Sequence, residues 1–245
     1  MVASSTRDVC GAWRKGPAVA LCLGAYLYGS LPFVYVMGRR SNVDLKEVGS
    51  GNVGASNLWA ATGAARGLLA WLLDASKGYL PITVCRRLGY DEELARLAGV
   101  CGAAGQCWPA FLWFSGGRGI SAFVGAAFAI DRANWVASIL PMIGGGLWRV
   151  TPLLARRSGH SVGGLRSTRS KAVPFGCFLG VLAFPAAYYG RRTGARPFSV
   201  APLLLSALIL LRRLTAPLPD DVMDGPEFRR SALLFRLLFD RNTAN

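Results

Sequence analysis

The chain has 245 residues, 52% of them hydrophobic and 17% charged, with a formal net charge of +15. That charged fraction, set against roughly a quarter in soluble domains, argues against a water-soluble fold. The basic excess falls between apolar runs, so it reads first as a membrane-orientation signal, and no nucleic-acid partner is expected.

The first uncharged run is Gly16–Gly38. It is too long for the h-region of a cleaved signal peptide, and polar Gly-Ser-Leu-Pro interrupts it. Gly67–Cys85 follows, apolar except for Asp74 and Lys77. Leu97–Gly117 again lacks Asp, Glu, Lys and Arg; Gly119–Ile130 is apolar but short; Ala133–Trp148 is borderline. Ala172–Gly190 is uncharged, and Pro197–Leu211 is borderline. The three uncharged runs each approach the ~20 residues that span a hydrocarbon core. The expectation is an all-α integral membrane protein of about seven transmembrane helices, five or six being the nearest alternatives, with Gly-rich interfacial loops.

Residues 1–213 read as one membrane domain and 214–245 as a cytoplasmic tail. In the tail, Leu233, Leu234, Leu237 and Leu238 recur at helical spacing with Arg between them. They suggest an amphipathic helix on the membrane surface, with an ordinary packing helix as the alternative. Alternating the loops of seven spans puts sixteen Lys and Arg on one side and ten on the other. The richer side includes Arg39, Arg40, Lys46, Arg118, the Arg149–Lys171 loop and the tail. It is assigned to the cytoplasm, with the N-terminus outside. The basic Arg149–Lys171 loop is an orientation anchor or a binder of anionic headgroups.

Six cysteines show no C-x-x-C spacing, and most lie in apolar runs, so neither a disulfide framework nor a zinc site is expected. The single histidine, His160, excludes multi-His metal centres and triads built on a membrane-embedded His. No metal and no cofactor is expected. An enzyme of this composition works by positioning and electrostatics.

Three features can carry such chemistry. The stretch "VGSGNVGASN", Val48 to Asn57, is a plain connector or a cradle of backbone N–H groups for a phosphate. Asp74 and Lys77 sit at i and i+3 in an apolar segment and can meet on one helix face. Intramembrane charges default to a functional role, with a structural ion pair as the alternative. In "GQCWPAFLWFSGGRGIS", an aromatic-rich run ends in Gly-Gly-Arg-Gly. There Gly116 and Gly117 permit close approach, and Arg118 offers a guanidinium fork for phosphate. The topology above puts both Gly-rich loops on the cytoplasmic side.

Together these motifs resemble the acyl-phosphate glycerol-3-phosphate acyltransferase family of bacterial membrane proteins. "GSLPFVYVMGRRSNVDLKEVGSGNVGASN", "LLDASKGYLP" and "GQCWPAFLWFSGGRGIS" are similar to three of its patterns in order, across Gly29 to Ile130. The resemblance implies acyl transfer from acyl phosphate to the sn-1 hydroxyl of glycerol 3-phosphate, with lysophosphatidate and phosphate as products. It implies no protein nucleophile. It makes Ser50, Gly51, Asn52, Gly54 and Asn57 the acyl-phosphate cradle. Gly116, Gly117, Arg118 and Gln106 become the acceptor-phosphate side, and Asp74 and Lys77 a structural or supporting pair. Gln106 stands where the family has His, and Arg118 where it has Lys. The implied partners are acyl phosphate, glycerol 3-phosphate and membrane lipids, in a bacterial inner or plasma membrane. Two alternatives remain. One is a relative that serves another acceptor or only binds. The other is a small transporter with Asp74 and Lys77 along its path.

Overall fold

In the computed structural model the described residues are 15–157, 172–191, 198–216 and 237–238. Most of the basic stretch around His160, much of the tail helix expected near Leu233, and Arg192 and Arg196 lie outside them. The described residues form helices and no strand. In chain order these are α1 (Lys15–Gly29), α2 (Phe33–Arg40), α3 (Ala55–Thr62), α4 (Ala64–Arg87), α5 (Glu92–Cys107), a 3-10 turn (Ala110–Leu112), α6 (Ile120–Ile130), α7 (Arg132–Arg157), α8 (Ala172–Gly190) and α9 (Ala201–Thr215). They fall into two compact units, divided between Ile130 and Asp131.

In the first unit α4 is central and packs on α3, α5 and α6, while α1 packs on α5. The helices meet at small residues. A Cβ on Gly29 would strike the Gly102 carbonyl, and a Cβ on Gly102 would strike the Lys77 carbonyl. Three helices therefore approach backbone to backbone, which is how apolar helices associate where burial from water supplies no drive. Asp91 caps α5 by accepting from the N–H groups of Glu93 at 2.9 Å and Leu94 at 3.4 Å. Glu92 and Glu93 add negative charge to the same first turn. Beyond the apolar runs, Arg86 bonds Glu92 and donates to the Ala129 carbonyl at 2.6 Å, tying the ends of α4 and α6.

In the second unit α7 packs on α8, and α8 on α9. Gly176 faces the Pro141 carbonyl and Gly180 the Ser138 carbonyl. Ser206 Oγ donates to the Val181 carbonyl at 2.8 Å. Arg213 is 2% exposed; it donates to the carbonyls of Pro174 at 2.9 Å and Leu237 at 2.8 Å.

The all-helical expectation holds, and the helix positions mostly agree. Among the described residues, however, two segments are long and apolar enough to cross a membrane: Pro17–Arg40 and Ala172–Gly190. The other helices are shorter or carry charge. Helix α4 contains Arg66, Asp74, Lys77, Arg86 and Arg87; α6 has only 11 residues. Two runs expected as spans are not single unbroken helices, although the first, from Pro17 onward, still lies within the crossing-length segment Pro17–Arg40. The first parts between Gly29 and Phe33, where Pro32 has no N–H to donate. The run Leu97–Gly117 leaves the helix after Cys107, at Trp108-Pro109, because a residue before proline is driven out of helical geometry. Outward-facing apolar residues, among them Val19 and Leu23 on α1 and Leu68, Leu69 and Leu72 on α4, are at least half exposed. Such surfaces suit lipid contact and are costly in water.

Candidate active site

The Gly-rich decapeptide divides into a turn and a helix start. Gly49 and Gly51 take φ of +61° and +64°, a left-handed backbone that residues with a Cβ resist. Gly51 N–H donates to the Val48 carbonyl at 3.1 Å, and Gly54 N–H to the Asn52 carbonyl at 2.9 Å. Helix α3 begins at Ala55, which puts Asn57 in its first turn. Ser50 and Gly51 are exposed, and Asn52 and Gly54 are half-buried. Asn57 is buried, 5% exposed. Its Nδ2 donates to the carbonyls of Leu45 at 3.0 Å, Val48 at 3.0 Å and Asn52 at 3.1 Å. Its Oδ1 accepts from Ser50 N–H at 3.3 Å.

Deeper in the same unit, the i, i+3 spacing on α4 delivers its pair. Lys77 Nζ lies 3.1 Å from Asp74 Oδ1, both side chains being almost fully buried. Gln106, near the end of α5, closes a ring. Its Oε1 accepts from Lys77, and its Nε2 donates to Asp74 Oδ2 at 2.9 Å. The Lys77 ammonium also stands 5.2 Å from the centroid of the Phe33 ring. The Gln106 side chain expected on the acceptor side thus has both amide atoms engaged by the ion pair.

The second Gly-rich loop rests on this ring. Gly117 N–H donates to the Gln106 backbone carbonyl at 3.2 Å. A Cβ on Gly117 would lie 2.9 Å from the Val53 carbonyl and 3.1 Å from Gln106 Nε2. Only glycine lets this loop fit between the first loop and the ring. A small cleft opens there, lined by Val53, Asp74, Lys77, Gln106, Gly116 and Gly117, with Leu31, Pro32 and Tyr35 from the elbow between α1 and α2.

The two expected loops are therefore brought together, but not through every expected residue. Of the decapeptide only Val53 lines the cleft; Ser50, Gly51, Asn52, Gly54 and Asn57 surround that residue without lining it. Arg118 is half-buried and follows the lining residues without joining them. Sequence reasoning passed over Val53, an apolar residue in a polar loop. It also used Lys46 only as a topology marker. The Lys46 ammonium stands 5.7 Å from the centroid of Tyr35, itself a lining residue. Its position four residues before Ser50 was the available signal. Among the described residues no group of three or more His, Cys, Asp or Glu side chains is placed to hold a metal ion.

Comparison with known proteins gives the family. The family model described as Glycerol-3-phosphate acyltransferase matches residues 19–214. A glycerol-3-phosphate acyltransferase of Aquifex aeolicus is 36% identical over 133 residues, 54% of this chain and 69% of that protein. Glycerol-3-phosphate acyltransferase 5 of Dehalococcoides mccartyi is 31% identical over 91% of this chain and 88% of its own length. Two crystal structures of PlsY (YgiH), an integral membrane glycerol 3-phosphate acyltransferase, share the fold. The glycerol 3-phosphate form has a TM-score of 0.64 at 28% identity, covering 80% of this chain and 88% of that one. The lysophosphatidic acid form has a TM-score of 0.63 at 25% identity, covering 91% and 98%. With its Gly-rich loops meeting at one cleft and a family match over most of its length, the chain belongs to the glycerol-3-phosphate acyltransferase family of integral membrane proteins.

Proposed function

We propose that the protein transfers a fatty acyl group from acyl phosphate to the sn-1 hydroxyl of glycerol 3-phosphate, in phospholipid synthesis. The hydroxyl oxygen bonds to the acyl carbonyl carbon. The bond from that carbon to the bridging phosphate oxygen breaks, and its electron pair leaves with phosphate. The hydroxyl proton ends on the released phosphate, and lysophosphatidate is the other product. Phosphate is a good leaving group, so the chain need only bind, orient and screen charge. The turn of the Gly49–Asn57 loop receives the donor's phosphate. Gly116, Gly117 and Arg118 receive the acceptor's, and Gln106 contributes through its backbone bond from Gly117. The Asp74–Lys77 pair supports the floor. The membrane is a bacterial inner or plasma membrane, crossed several times with the N-terminus outside and the C-terminus cytoplasmic.

The observation that carries this reading is the meeting of the two Gly-rich loops, Gly117 against the Val53 carbonyl, at the lip of a cleft floored by Lys77. Anions of two substrates would then lie side by side at one mouth. One observation keeps a second reading, transfer to another acceptor: Arg118 does not line the cleft.

Purified protein in detergent, given palmitoyl phosphate and glycerol 3-phosphate, should release phosphate and form lysophosphatidate together. Ser50→Ala and Asn52→Ala should each abolish both while the protein stays folded. Full activity in both variants refutes the cradle. Phosphate without lysophosphatidate selects the second reading.

A further inference from the structure

We propose that Asn57 is a positioning residue that never touches substrate: it sets the backbone of the Gly-rich loop so that the N–H groups of Gly49 and Val53 face outward as the donors for the acyl phosphate's phosphoryl oxygens. This rests on the function proposed above and assigns its donor site at the level of atoms.

The argument starts from the amide's capacity. A side-chain amide has two N–H donors and an oxygen with two lone pairs. At Asn57 both donors are spent on three carbonyls, those of Leu45, Val48 and Asn52, so one proton is shared. The oxygen takes the Ser50 N–H, and Gly49 closes its other side, since a Cβ there would run into Oδ1. The reverse amide orientation would set oxygen against three carbonyl oxygens and NH2 against an N–H, so the network fixes which way the group points. Nothing is left over to bind a ligand, and the residue is buried.

Peptide geometry supplies the next step. In a trans peptide the carbonyl of one residue and the N–H of the next point in opposite directions. Drawing in the Val48 carbonyl therefore turns the Gly49 N–H away from Asn57. Drawing in the Asn52 carbonyl does the same to the Val53 N–H. Neither N–H has a protein partner among the described residues. Outward N–H groups on a turn form a concavity for anions. Val53 lines the cleft, so one donor lies at its wall. The left-handed Gly49 and Gly51 are what allow the chain to wrap one side chain this closely.

Asn57→Ala tests this in two readings. In ligand-free protein, amide hydrogen exchange across residues 45–53 should accelerate, because the Ser50 bond and the three carbonyl anchors are gone. In turnover assays the KM for palmitoyl phosphate should rise by about tenfold or more, the scale of one or two hydrogen bonds. The KM for glycerol 3-phosphate should stay within about twofold of the parent, well under the tenfold that one such bond carries. Exchange unchanged in the ligand-free variant overturns the proposal, since a residue that only touches ligand leaves the empty loop alone. So does a KM effect on glycerol 3-phosphate instead of the donor. Asn57→Asp keeps the acceptor for Ser50 and withdraws the donors. It repeats both readings should the alanine variant not fold. If the parent protein proves inactive with acyl phosphate, the function above fails while the exchange reading still decides whether Asn57 shapes the loop.

Discussion

Two buried side-chain amides, Asn57 and Gln106, sit beside the cleft and do opposite work. Asn57 holds only neutral backbone, in a loop whose edge is open to solvent. Gln106 holds two opposite charges, Asp74 and Lys77, in a nearly dry interior. A lost backbone anchor at a loop edge can be replaced by water, at a net of about 0.5–1.5 kcal/mol per bond. A lost partner in the ring leaves a charge with nowhere to go. The first network therefore sets shape with a small stake in stability. The second carries a large stake, and the Gly116–Gly117 loop rests on it.

The comparison is broken most forcefully at the ring. Asp74→Ala or Lys77→Ala should each destabilise the protein by about 3–5 kcal/mol, the cost of stranding one member of a buried pair. The double variant Asp74→Asn with Lys77→Met should lose less than either single change, because no charge remains to be buried. Denaturant unfolding in detergent reads all three. A double variant as damaged as the sum of the singles would show that the residues act independently, and the ring would lose its meaning as a unit.

The loop answers on a smaller scale. Gly49→Ala forces a Cβ into left-handed backbone and against Asn57 Oδ1. A loss of about 1–2 kcal/mol is expected from the backbone alone. Gly24→Ala on α1 should have the opposite sign. It has open space around it and no left-handed backbone, so it should gain about 0.5–1 kcal/mol. Equal effects at the two glycines would mean that the Asn57 network does not constrain the loop.

How much of this was legible beforehand follows the same division. The Asp74–Lys77 pair could be read from i, i+3 spacing, because a helix fixes what three residues apart must do. Gln106 could not be read into it, being 29 residues beyond Lys77 on a different helix. The expected segments Gly67–Cys85, Gly119–Ile130 and Ala172–Gly190 correspond to α4, α6 and α8, since a mainly apolar run bounded by polar or charged residues marks where a buried or lipid-facing helix lies whatever its length. The run Leu97–Gly117 was misread as one span because its composition is uniformly apolar while Trp108-Pro109 decides the backbone. In "SGNVGASN" the polar residues were legible as a set. Which of them turns inward depends on where α3 starts and on three carbonyls that composition does not encode. Apolar Val53, which lines the cleft, was invisible for the same reason.

The smallest effect lies at the far end of α4, outside the apolar runs, where the same contrast appears in solvent. Glu92 is held below its ordinary value of 4.5, first by the hydrogen bond from Arg86, while partial burial pushes the other way. A depressed carboxylate gives stability that is complete above its unfolded value and disappears as pH falls through its folded one. Stability should therefore decline with acid below about pH 4.5, and Glu92→Gln should flatten that part of the profile. The size is limited by exposure: the Glu92 side chain is 41% exposed, where ion pairs contribute about 0–1 kcal/mol and salt screens them. Raising the salt should shrink the difference between parent and variant, whereas the buried Asp74–Lys77 ring should ignore it. A Glu92 effect that survives high salt at full size would place this pair with the ring rather than with the surface. It would also point to the Arg86 bond to the Ala129 carbonyl, which joins α4 to α6, as the interaction that matters there.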